Sequence, residues 1–140
     1  MTPRAFAKEF AQAFQQGQFE ACVGMMSFPL PIIRLFDTVI VESAEDELDL
    51  LVKRRAGYQA AGAVHFKYDL SNIREISNGL DMVDFDWTVL NHAGEAISMY
   101  SVTHVLRTSS DGYRIAGFIN HSEAENRPMF IAASPEGSGQ

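Results

Sequence analysis

Four side chains in the second half of this 140-residue chain pair a reactive polar group with apolar neighbours: Trp87, Tyr100, His104 and His121. A phenol beside an imidazole can orient or protonate a carbonyl, and Glu123, two positions past His121, can hold the ring in one tautomer. Tyr100 and His121 are therefore the candidate catalytic pair. The same residue types also serve as amphipathic core groups whose polar tips find ordinary partners, and the sequence leaves both readings open. His104 and His121 fall four residues apart along paired strands, roughly 13 Å, too far to share a proton or a metal ion. With one cysteine (Cys22) and no His-x-x-x-His spacing, neither a metal site nor a cofactor is expected.

Positioning these groups requires strands, and the second half of the chain supplies them. Asn78-Gly79 is a strong hairpin signal, and further turns fall at residues 92–95 and 109–112. They divide the chain into four alternating segments at residues 64–77, 80–91, 96–108 and 113–122, a predicted antiparallel meander. Closing each turn predicts Leu70 opposite Trp87, Trp87 opposite Tyr100, Phe85 opposite Val102, Tyr100 opposite His121 and Val102 opposite Ile119. One face then carries Phe66, Tyr68, Phe85, Trp87, Val102, His104 and Ile119 as the expected ligand pocket, with Tyr100 and His121 among them. The opposite face carries His65, Asp84, Asp86, Met99, Thr103, Phe118 and Asn120. A bulge would invert every assignment beyond it.

The first half reads as helical. Thr2 caps and Pro3 opens a helix whose Phe6, Phe10 and Phe14 recur every fourth residue, and Gly17 ends it. A shorter helix is predicted over 19–26. Phe28-Pro29-Leu30-Pro31 forbids helix, so two short edge strands are expected around Ile32-Ile33 and over residues 38–41. Ser43 caps a third helix with Glu45, Asp46 and Glu47 in its first turn, and Leu48, Leu51, Val52 and Arg55 form its expected inward stripe. The fold class is α+β, in the order α-α-β-β-α-β-β-β-β. Residues 1–133 are expected to form one domain and 134–140 a disordered tail.

Composition narrows the function. Eleven basic against eighteen acidic residues give a net charge of −7, which disfavours nucleic acid. No apolar run has the length of a membrane span or a signal segment, and a cytoplasmic protein is the expectation.

The order of elements, with Phe28-Pro29-Leu30-Pro31 after the helices and Asp111-Gly112-Tyr113-Arg114-Ile115 opening the last strand, resembles the nuclear transport factor 2-like (cystatin-like cone) superfamily. The second run is similar to the Asp-Gly-Trp-basic-Ile run of its polyketide cyclase-like branch, with tyrosine here. The resemblance implies a curved, mostly antiparallel sheet wrapping the long helix, a pocket for a small apolar or aromatic ligand, and a homodimer through the outer sheet face. It also implies two alternatives: an isomerase, dehydratase or cyclase using Tyr100 and His121, or a protein-association module acting through that outer face. The carboxylate base that ketosteroid isomerase places near its first strand has no counterpart, since no acid occurs between Met26 and Arg34.

Overall fold

A computed structural model describes residues 1–121. Glu123, the end of the expected domain and the 134–140 tail lie outside the described residues. Thr2 caps α1 (Pro3–Gln15) as its hydroxyl allows, Oγ1 accepting from the Ala5 N–H at 3.0 Å. The stripe Phe6, Phe10 and Phe14 is buried along with Ala7, Ala11 and Ala13. α2 (Phe19–Val23) is shorter than expected and buries Phe19, Cys22 and Val23. Burial pushes the Cys22 thiol up to about 12, so it is a core group rather than a nucleophile.

β1 (Leu30–Ile33) and β2 (Thr38–Val41) form an antiparallel pair, but only β2 lies at the sheet edge. β1 also pairs in parallel with β6 (Gly112–Asn120) through Ile32↔Phe118 and Ile33↔Ile119. That pairing starts one residue past Pro31, so the proline's missing N–H is not needed there. α3 (Ala44–Ala60) begins at Ser43, whose Oγ accepts from the Asp46 N–H at 3.2 Å. The meander follows as β3 (His65–Ser77), β4 (Leu80–Leu90), β5 (Ala96–Ser109) and β6, completing one six-stranded sheet in the order β2-β1-β6-β5-β4-β3.

Ser77 lies opposite Leu80 across the Asn78-Gly79 turn, where Gly79 takes φ 87°, a conformation the tight hairpin demands. The β4–β5 register is the expected one: Trp87↔Tyr100, Phe85↔Val102 and Val83↔His104. The β3–β4 register slips at Ser71 and Ile76, so Trp87 meets Tyr68 and Leu70 meets Phe85. Two bulges cancel in parity, and Phe66, Tyr68 and Leu70 keep the inner face. In β6 a single bulge at Ala116 has no such compensation, and Val102 pairs with Asn120 and Thr103 with Ile119.

α1 lies in the concavity and α3 rests against it through Arg55. The Arg55 guanidinium donates to the Phe14 carbonyl and sits 4.0 Å from the Phe66 ring centroid and 5.0 Å from those of Phe14 and Phe19. Of the expected inward stripe of α3, Leu51 is buried, Leu48 packs against the core and Arg55 turns inward, but Val52 is 51% exposed, and Glu47 and Tyr58 are the further buried members.

The narrow link between β1 and the meander depends on Gly117. A Cβ there would lie 3.2 Å from both Cγ and the carbonyl oxygen of Pro31. Gly117→Val should therefore wedge β1 away and lower stability by about 1–3 kcal/mol, read as a lower denaturant midpoint.

Candidate functional site

Where the ring face of α1 meets the sheet, the cone retains a cavity of about 70 Å³. Phe10, Phe14, Trp87 and Phe118 supply its aromatic wall, and Ile32 and Val102 its aliphatic one. Its polar lining comes from Glu47 and Arg54 on α3, Tyr100 and His104 on β5, and Asn120 at the end of β6. One water needs roughly 10–15 Å³ of such space, so several waters fit. A ring-sized molecule requires a side chain at the rim to turn outward, and half-buried Arg54 has the length to do so.

Helix periodicity carries Glu47 inward, because it shares the face of Leu51 and Tyr58 at spacings of four and eleven residues. It is 2% exposed, and its Oε1 is buried without a hydrogen-bond partner among the described residues. Burial raises its pKa, and the nearby Arg54 charge partly opposes that rise. The sequence reading missed Glu47 by assigning it only to the helix dipole. The available signal was its place on the Leu51–Tyr58 face.

His104 sits deeper, 3% exposed. The rings of Phe85, Phe118 and Phe10 surround it at centroid distances of 4.2, 4.7 and 4.9 Å. Desolvation lowers its pKa to about 3, so it is a neutral imidazole near pH 7.

Of the expected pocket residues, Trp87, Val102 and His104 line the cavity together with Tyr100. Phe66, Tyr68 and Phe85 back it instead: Phe66 packs edge-on to Phe14, and Tyr68 lies 5.6 Å from Trp87, which stacks on Phe85 at 6.1 Å. Ile119 and His121 do not belong to it. The Ala116 bulge turns both to the outer face and brings Phe118 and Asn120 inward, so the expected neighbouring of Tyr100 and His121 is corrected.

On that outer face His121 Nε2 lies 2.5 Å from Thr103 Oγ1, which in turn lies 2.5 Å from Asp84 Oδ1. A carboxylate only accepts, so the Thr103 hydroxyl donates to Asp84 and the imidazole N–H donates to Thr103. Asp86 likewise accepts from Ser101 Oγ at 2.6 Å, so the two outward acids anchor cross-strand hydroxyls. Among the described residues no group of three or more His, Cys, Asp or Glu could hold a metal ion. Nor is any helix there long and apolar enough to cross a membrane.

A long helix cradled by a curved six-stranded sheet, with a lined cavity between them, defines a cystatin-like cone. The pattern of the NTF2-like protein (DUF6841) family matches residues 3–123, and the chain belongs to that family. Among solved structures it is similar to a Nostoc punctiforme domain of unknown function with a cystatin-like fold. The two share 15% identity and a TM-score of 0.65, over 88% of this chain and 78% of that one. An NTF-2 like protein of unknown function from Shewanella oneidensis also matches at 15% identity and a TM-score of 0.65, over 86% of this chain and 100% of that one. A ketosteroid isomerase-like protein from Erwinia carotovora matches at 15% identity and a TM-score of 0.63, over 85% and 93%. At such identity these likenesses establish the fold alone. No curated protein matches the chain in sequence.

The neutral His104 gives stability a defined pH dependence. The unfolded imidazole takes up a proton near its ordinary 6.5, while the folded one resists to about 3, so stability is lost as pH falls through that window. This group alone should cost about 2 kcal/mol between pH 7 and pH 5. Glu47, with its pKa raised, acts in the opposite sense and regains stability as it protonates. Denaturant titrations of wild type and His104→Leu at both pH values isolate the imidazole, and only the wild type should show its loss.

Proposed function

We propose that the cone binds a small, mostly apolar or aromatic molecule between α1 and the sheet. The observation that carries this reading is the convergence of an aromatic wall (Phe10, Phe14, Trp87, Phe118) and a polar rim (Glu47, Arg54, Tyr100, Asn120) on one cavity. Ligand sites combine those two features, apolar walls for affinity and a few placed polar groups for orientation. The likeness to a ketosteroid isomerase-like protein agrees with a cone that admits small molecules, although fold likeness does not name one.

Trp87 is the only tryptophan of the chain and lines the cavity, so its emission reports occupancy. Titration with small aromatic compounds should change that emission saturably. Val102→Phe, which fills the space with a ring, should weaken binding by about tenfold or more. Emission that stays flat with every compound sinks the reading.

We further propose that a second copy of the chain covers the outer face, where Met99 is 63% and Ile33 44% exposed while the sheet behind them is fully paired. Sedimentation should then give a dimer that Met99→Glu shifts toward monomer. A wild-type monomer at high concentration overturns it.

A further inference from the structure

Among the described residues, the cavity-lining Glu47 carries a buried acceptor that the fold leaves without a partner. Glu47 is 2% exposed and its Oε1 has no hydrogen-bond partner among the described residues. A buried oxygen in that state calls for a donor from outside the protein, a water or a ligand group. The helix does not require the acid there. Glu45 and Asp46 already serve the N-terminal dipole of α3 from exposed positions.

The other ionisable groups nearby do not occupy the same role. Arg55 is committed to the Phe14 carbonyl and to three rings. His104, enclosed by phenylalanines, carries no charge at neutral pH. Arg54 beside Glu47 tempers the carboxyl's charge. The result is an acceptor lining a cavity whose aromatic wall includes Phe10, Trp87 and Phe118.

We propose that Glu47 determines specificity in this cone: it accepts a hydrogen bond from an O–H or N–H on a ring-bearing ligand. The class bound is then phenols and ring N–H compounds, in preference to aromatic hydrocarbons and ethers of the same size. This rests on the binding reading above and deepens it. The ring lies among Phe10, Trp87 and Phe118, and its donor meets the carboxylate. Charge-assisted O–H···O⁻ bonds are the strong kind, and an apolar surround strengthens them. A site built around an unpaired acceptor discriminates against an analogue without the donor, because that analogue leaves the acceptor buried and bare.

Phenol, anisole and toluene test this, since their rings match and only phenol carries a donor. Their affinities for the wild-type protein are read from Trp87 emission at mildly alkaline pH, and for Glu47→Leu after circular dichroism has verified its fold. Wild type should bind phenol about tenfold or more tighter than either analogue, and Glu47→Leu, which leaves no acceptor at that position, should bring the three within about threefold. Equal wild-type affinities leave the binding reading standing and overturn the role of Glu47. A phenol preference that survives in Glu47→Leu overturns it too, because the donor is then received elsewhere. No binding of any of the three overturns the cavity reading and this inference together. Should Glu47→Leu fail to fold, the wild-type comparison decides alone.

Discussion

The ring of Phe10 is the hub on which this cone depends. Its centroid lies 4.9 Å from His104, 6.2 Å from Phe14, 6.4 Å from Phe118 and 6.5 Å from Phe85, so one residue of α1 ties the helix to three strands. A flat sheet could not touch one helix from β4 through β6. The strands must bend around it, and the bend is supplied by bulges at Ser71, Ile76, Ile97 and Ala116. Aromatic pairs add stabilisation beyond their buried area, which suits a core in which ring contacts carry the packing.

That constraint also separates what was legible in the sequence from what was not. Turn residues fixed both ends of each hairpin, so the meander, the pairing of β4 with β5 and the cavity residues Trp87, Tyr100, Val102 and His104 followed from alternation. Alternation fails at a bulge. Two in β3 restored the face of Phe66, Tyr68 and Leu70, whereas one at Ala116 exchanged Ile119 and His121 for Phe118 and Asn120. Nothing in the run Ile115-Ala116-Gly117 marks its extra residue, because the demand for it comes from curvature across several strands. Gly117 beside Pro31 shows the same long-range origin: its lack of a side chain matters to a strand more than eighty residues earlier.

α3 was legible in its extent and only partly in its rotation. Leu48, Leu51 and Arg55 turn toward the core as expected, yet Val52 is exposed and the buried face adds Glu47 and Tyr58. Hydropathy favours Val52 over Glu47 because it cannot credit a buried glutamate. Shape decides otherwise: Tyr58 stacks on Tyr100 at 6.5 Å and meets Phe66 edge-on at 5.6 Å. Once that ring is seated, the helix period brings Glu47 into the cavity with it. Where a local rule is broken and the fold offers no compensation, function is the usual reason.

Burial acts on His104 and Glu47 by one rule, penalising the charged form of each, with opposite chemical results. The imidazole loses its charge and becomes part of the ring lattice around Phe10. The carboxyl has Arg54 at hand to offset part of the penalty and keeps an acceptor without a hydrogen-bond partner among the described residues. Arg54 and Arg55 divide along the same line. Neighbours in sequence, they project about 100° apart on a helix, one to the cavity and one into the clamp on Phe14. Of the cavity's lining, the charged groups are thereby Glu47 and Arg54 of α3. Changes at Glu47, Arg54 or Asn120 can therefore alter the polar lining of the cavity without disturbing the aromatic hub that shapes it.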